Sequence, residues 1–301
     1  VASDFDGPFN FLLGGLYLKS TGRDIGYAVM ASGFDYMSAF LGVATAAGLG
    51  LPSLNFGLAP PFFHSDTDKA GLKTYGIFGE VYIDLADNLK VTGGLRYSND
   101  KKYIRARQPF INVLVPYGTA DVNPILATFD GDSSKPGQQA FAIQSGTFDE
   151  ITGRVVVDWK PELSFTEDSL IYASYTRGYK PGGFNPPYDP NLFPPIPLTF
   201  DGELIDAFEV GTKNTFLGGQ LQLNATGFYY KYNGFQVSRS INRTSFNDNT
   251  NATIYGLELE AIMRPVRDFA VNASLSYLKT EIADFNTIDT RNPSNGRSDV
   301  V

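Results

Sequence analysis

The sequence predicts an all-β chain, an antiparallel up-and-down transmembrane β-barrel of which about nine strands are present. Three observations predict it. Apolar and polar residues alternate with period two along much of the chain. The alternating runs extend over about 10 to 18 residues, whereas a globular strand usually has about 5 to 6. Short turns and long Gly/Pro-rich connections also follow one another in strict alternation, so all the tight turns fall at one end of the sheet and all the long loops at the other.

The clearest element is the hairpin over residues 75–98. Tyr75, Ile77, Gly79, Val81, Ile83 and Leu85 share one face, and past a turn at Ala86-Asp87-Asn88 they are matched by Leu89, Val91, Gly93, Leu95 and Tyr97. Thr74, Glu80, Asp84, Lys90, Thr92 and Arg96 occupy the other face. The pattern returns in Ile151, Val155, Val157 and Trp159 against Thr152, Arg154 and Asp158, and in Leu221, Leu223, Ala225 and Tyr229 against Gln222, Asn224 and Thr226. It closes with Tyr255, Leu257, Leu259 and Ala261, and then with Phe269, Val271, Ala273, Leu275 and Tyr277. Short turns are expected near 86–88, 161–167, 217–219 and 264–268, and long loops near 20–70, 107–147, 181–202 and 240–252.

A soluble sandwich also alternates, so alternation alone does not say which face is buried. Strand length suits a tilted crossing of about 25 Å of hydrocarbon. Tyr75, Tyr97, Trp159, Tyr255 and Tyr277 stand at the ends of apolar faces as an interfacial girdle would, while charges occupy mid-strand on the opposite face. The expected consequence is that arginine at position 95 destabilises and arginine at position 92 is tolerated. The uncharged run Tyr36 to Phe63 is interrupted by Gly42, Gly48, Gly50 and Pro52 and reads as a loop with at most a short helix.

Composition excludes several function classes. With Lys+Arg 24 and Asp+Glu 32 the net charge is −8, and no basic stripe suits a nucleic-acid partner. Cysteine is absent and His64 is the single histidine, so thiol chemistry, disulfides and two-histidine metal sites are excluded. His64 reads as a loop surface residue, and no G-x-S-x-G elbow or phosphate-binding glycine loop occurs, so neither catalysis nor a cofactor is expected. The acidic clusters around Asp66 and Asp130 resemble calcium loops but carry Ile77 and Phe141 where a bidentate glutamate belongs.

Lys101, Lys102, Tyr103, Arg105 and Arg107 form a cationic cluster where the strand begun at Asn88 would leave the membrane. Arg177, Tyr179 and Lys180 are expected at equivalent height on another strand, and Arg239 and Arg243 on a third. Tyr103, Arg105, Arg107, Arg177, Tyr179 and Lys180 are therefore the candidate ligand-binding rim, because guanidinium groups grip carboxylate or catecholate oxygens and stack on rings. The same charges would equally serve lipopolysaccharide phosphates or be merely solvated. Residues 181–200 hold seven prolines with Phe184, Tyr188, Phe193 and Phe200, a stiff loop that either closes over a ligand or shields the mouth.

The segment YASYTRGYKPGGFN, residues 172–185, resembles the barrel of TonB-dependent outer-membrane receptors. FEVGTKN at 208–214, LNATGFYYKYNGFQV at 223–237 and TIYGLELEA at 253–261 are similar to the strands that follow in that family, and FNFLLGGLYLKS at 9–20 with the 75–98 hairpin to earlier ones. The resemblance implies a bacterial outer-membrane receptor that binds a scarce nutrient, commonly a ferric siderophore, cobalamin or an oligosaccharide, and imports it with energy from the inner membrane; a ferric siderophore is the ligand expected here. Its partners would be the nutrient, outer-membrane lipid and lipopolysaccharide, and an inner-membrane energy-coupling protein reached through a segment not seen here. Residues 1–301 are expected to be an internal part of a barrel of about 22 strands, without the plug domain and the C-terminal strands. A passive porin and a soluble or surface-displayed β-rich adhesin are the alternatives.

Overall fold

A computed structural model describes residues 1–29, 48, 62–107, 110–111, 141–187, 196–241 and 244–283. Its strands are β1 (Phe9–Val29), β2 (Phe62–Ala86), β3 (Leu89–Arg107), β4 (Phe110–Ile111), β5 (Ala142–Trp159), β6 (Asp168–Lys180), β7 (Gly183–Phe184), β8 (Thr199–Phe200), β9 (Glu203–Phe216), β10 (Leu221–Ile241), β11 (Thr244–Val266) and β12 (Phe269–Ile282). The nine long strands form one antiparallel sheet in the order β1-β2-β3-β5-β6-β9-β10-β11-β12, with β4 added to β2 and with β7 and β8 forming a separate ribbon. Each long strand pairs with its neighbour in sequence, as an up-and-down barrel requires, and β1 and β12 are the two edges of an open sheet.

The tight turns fall where expected. Asp87-Asn88 joins β2 to β3 and Arg267-Asp268 joins β11 to β12. Asp268 takes φ 65°, a left-handed conformation that aspartate tolerates better than most residues. Between β9 and β10 the left-handed run Leu217, Gly218, Gly219 needs its glycines, which carry no Cβ to clash at positive φ.

The strands are longer than the periodicity indicates. β1 and β2 run through residues 20–29 and 62–70, β5 begins at Ala142, and β11 begins at Thr244, all in stretches expected to be loop. His64 accordingly lies in β2, paired with Tyr27, rather than in a loop. Apart from Gly48, the uncharged run at 36–61 lies outside the described residues. Alternation records a contrast between lipid and water; beyond the membrane both faces are wet, so the ladder continues without that signature.

The two faces settle the choice between barrel and soluble sheet. Paired residues point to the same side of a sheet, so the register carries the face of each strand to the next. One face holds the rows Phe11, Val81, Gly93, Val155, Tyr175, Phe208, Tyr229 and Tyr255, with Ile77, Leu95, Ile151, Val210, Leu257 and Leu275 nearby. These side chains are largely open, Leu95 at 68% and Val155 at 49%. Among the described residues few apolar side chains are buried, Ala106, Ile196, Phe246 and Ala252 among them, and Thr92, Ser98, Asn99, Asp100, Ser169 and Asn185 are buried as well. An apolar face this extensive would aggregate in water, and it fits hydrocarbon.

Aromatics frame the apolar band. Tyr17 and Tyr75 are paired, Tyr75 and Tyr97 meet with ring centroids 6.2 Å apart, and Tyr229 stacks on Tyr255 at 6.4 Å. Trp159, Phe165 and Phe269 are exposed at the tight-turn end. From β11 to β2 the upper belt climbs six residues, about 20 Å along the strand over roughly 29 Å of sheet, which corresponds to a tilt of about 35°.

The opposite face is the lumen wall. Glu80, Gly94 and Arg154 lie in one row, and the missing side chain at Gly94 lets Glu80 reach across a strand to Arg154 at 2.6 Å. Three aromatics cover glycines directly opposite them: Phe78 over Gly14, Tyr172 over Gly211 and Phe228 over Gly256. A Cβ at Gly211 would stand 2.6 Å from the Tyr172 ring, whose hydroxyl lies 3.0 Å from Thr226 Oγ1. Gly211→Val is therefore expected to cost about 1–3 kcal/mol by overpacking. Urea unfolding in lipid vesicles tests this, and combining it with Tyr172→Ala should recover part of the loss.

Candidate functional site

The upper end of the lumen wall is built from β3, β5 and the segment after β6. The register keeps Lys102 on the same face as Arg96 and Asp100, the face of the lumen. Its Nζ donates to the Gly182 carbonyl at 2.6 Å and stands 5.5 Å from the Phe148 ring centroid. Phe148 meets Phe184 with centroids 6.3 Å apart. Burial holds the Lys102 ammonium below the ordinary lysine range; Asp100 opposes the shift and the Lys180 charge adds to it. Asp100 is itself buried and accepts a hydrogen bond from Thr74 Oγ1 at 2.6 Å. Tyr179 lies just beyond the point where the pairing of β5 with β6 ends, at Gly153 and Arg177. Burial first, and then Asp100, Glu150 and Asp149, push its hydroxyl up to about 12, so it is a neutral donor.

The proline-rich segment is fastened at its two described ends. Asn185 is 1% exposed and lies against the part of β11 that has no β12 partner, above Ala252. Its carboxamide behaves like a strand backbone: Oδ1 accepts from Asn247 N at 2.7 Å, and Nδ2 donates to the carbonyls of Asn247 and Pro197, both at 2.8 Å. Gln144 on β5 donates to the carbonyls of Asn185 and Leu198. Gln236 on β10 donates to those of Pro181 and Asp201. The segment therefore ties β5 to β10 and β11 at the mouth; Tyr188 and Phe193 lie outside the described residues.

The structure distributes the six rim candidates rather than gathering them. Tyr103, Arg105 and Arg107 share the face of Leu95 and Tyr97, which is the lipid side of the sheet, and Arg177 and Tyr179 share the face of Tyr175. Lys180 has the opposite parity. The register places Arg177 in the row of Leu95, ten residues below Arg105 along β3, so the expected common height does not hold. Strand pairing sets height, and β3 runs further past the membrane than β6 does. Arg105 is ion-paired with Asp68, and Arg105 and Arg107 lie 4.1 and 4.2 Å from the Phe141 ring centroid. Arg177 faces Asp206 at 3.5 Å and Lys180 faces Glu203 at 4.0 Å. On the third strand Arg239 pairs with Asp248 at 3.0 Å, and Arg243 lies outside the described residues.

Sequence reasoning left Lys102, Phe148 and Asn185 out of the site. Parity within the hairpin identifies Lys102, which stands an even number of residues from Thr92 and Arg96. Nothing local in the sequence marks Asn185, whose partners lie 12 and 62 residues away.

Residues 1–299 match the family model described as TonB dependent receptor-like, beta-barrel. Among solved structures the chain is similar to the ferric yersiniabactin uptake receptor FyuA from Yersinia pestis, at 16% identity and TM-score 0.59 over 95% of this chain and 35% of that one. It is also similar to the siderophore receptor PiuA from Acinetobacter baumannii, at 20% identity and TM-score 0.58 over 99% of this chain and 39% of that one. The copper transporter OprC matches at 18% identity and TM-score 0.55, over 93% of this chain and 36% of that one. At these identities the likeness is one of fold, and the chain spans between 35% and 39% of the length of these proteins.

Proposed function

Because the chain belongs to the TonB-dependent receptor-like β-barrel family, whose members are receptors and transporters of the bacterial outer membrane and not enzymes, we propose that it forms part of the wall of a nutrient importer whose ligand is an anionic ferric siderophore. The rest of the wall, a plug and the segment that engages an inner-membrane energy-coupling protein would come from elsewhere in a longer receptor.

The observation that carries the ligand class is the lumen-facing pair Lys102 and Lys180 beside Phe148 and Phe184. The Lys180 charge adds to the burial that depresses the Lys102 ammonium, an anion would relieve both effects, and the rings offer flat faces to an aromatic chelate. FyuA, named a ferric yersiniabactin uptake receptor, and PiuA, named a siderophore receptor, share the fold, and this favours a ferric siderophore here. Tyr103, Arg105, Arg107 and Arg177 stand outside this group and would act on the ligand only as an outer field.

The test is uptake of a ferric catecholate by cells carrying the full receptor. Lys102→Gln with Lys180→Gln should lower the initial rate by about tenfold or more at low salt and flatten its salt dependence, because the steering charge is lost. The amount of folded barrel in the outer membrane should not change. Unaltered uptake would move the reading to a neutral nutrient.

A further inference from the structure

Three lysines stand side by side on the lipid face of the sheet. Lys19 is paired with Lys73, and Lys73 with Lys101, so three adjacent strands present an ammonium in one row. All three are exposed. Among the described residues no carboxylate lies within ion-pair distance of any of them. The nearest in register is Asp149, two residues from Thr147, the partner of Lys101 on β5. Like charges directly opposite one another destabilise a sheet, and their Cβ atoms lie only about 5 Å apart. A chain of net charge −8 has no shortage of acids with which to break such a row.

The height of the row is specific. It lies two residues beyond Tyr17 and Tyr75, the upper aromatic belt, at the end of the sheet that carries the long loops. The belt marks the headgroup level, so side chains one row further out reach the phosphate layer of the outer leaflet. Above the row, Lys69 stands 5.5 Å from the Tyr103 ring centroid on the same face, where Arg105 and Arg107 also lie. The apolar rows Leu13, Ile77 and Leu95 continue downward from the belt as a bed for acyl chains.

We infer that Lys19, Lys73 and Lys101 form a binding site for the phosphates of an anionic glycolipid of the outer leaflet, held with its acyl chains against Leu13, Ile77 and Leu95. The occupant is a lipid rather than a nutrient because the row faces away from the lumen, on the opposite side of the sheet from Lys102. A phosphate oxygen cluster placed between the ammonium groups removes their mutual repulsion, and each lysine near a charged membrane surface adds to the attraction.

The site is tested on the full receptor, purified in a zwitterionic detergent and equilibrated with zwitterionic vesicles containing bisphosphorylated lipid A or its dephosphorylated form. Lipid retained after repurification is measured by mass spectrometry. The wild type should retain the bisphosphorylated lipid, and the triple variant Lys19→Gln, Lys73→Gln, Lys101→Gln at least about tenfold less. The charge-preserving triple arginine variant should retain it, and the dephosphorylated lipid should be held by neither. Heat-shifted gel mobility verifies that each barrel is folded; the substituted side chains are exposed, so folding should be unaffected. Equal retention by the glutamine variant, or of the dephosphorylated lipid by the wild type, overturns the assignment. Displacement by an equal concentration of inorganic phosphate overturns it too, since the row would then be a free-anion site.

Discussion

Val155→Arg is expected to lower the stability of the barrel in lipid by about 2–4 kcal/mol, the cost of an arginine on the lipid face near the bilayer midplane. Val155 is midway along the apolar face of β5, between Trp159 at one end and Asp149 at the other, and its neighbours in the row are Gly93 and Tyr175. Leu95→Arg should cost less, about 1–2 kcal/mol, because Leu95 lies one row below Tyr97 and its charge can reach the interface. The control is Ser174→Arg, which places the cation on the lumen face directly opposite Glu209 and should be nearly neutral. Position 92, which the sequence marks as tolerant, is a poor control: Thr92 keeps only 6% exposure between Tyr82 and Val156, so a long side chain there is rejected by packing. Denaturant unfolding in vesicles measures all three. Equal losses for Val155→Arg and Ser174→Arg would mean that the two faces have been reversed or that the sheet is not in lipid.

Asn185→Leu is expected to release the proline-rich segment from β11 while leaving the barrel intact. The substitution keeps the branched outline and the number of heavy atoms and removes all three carboxamide hydrogen bonds, abandoning the Asn247 amide and carbonyl and the Pro197 carbonyl in a part-buried site around a side chain that is 1% exposed. Unmet buried groups of this kind cost about 1–3 kcal/mol each before relaxation, so local opening should become easier by about 2–4 kcal/mol. Hydrogen exchange should accelerate in residues 183–187, 196–200 and 245–249 and stay unchanged in residues 89–98. Since Gly182 accepts from Lys102, loosening the segment should also let the Lys102 ammonium return toward the ordinary lysine range. Unchanged exchange in all three segments would show that Gln144 and Gln236 hold the segment without Asn185.

The alternation in residues 75–98 was enough to place a hairpin, its turn and the environment of each face, because a two-residue period at a lipid–water boundary is written into residue type. The order of short and long connections was likewise enough to make the sheet up-and-down, since a strand followed by a tight turn must return beside itself. What residue type alone could not convey is where one strand stands against the next. Arg105 and Arg177 look equivalent along the chain, yet the ladder sets them ten residues apart and each beside its own carboxylate. Lys19, Lys73 and Lys101 look unrelated, yet the same ladder makes them one row. The extent of the strands beyond the membrane was equally hidden, because with water on both faces no contrast remains for the sequence to record. Registry is a property of hydrogen bonds summed over whole strand pairs, and only the folded sheet can sum them.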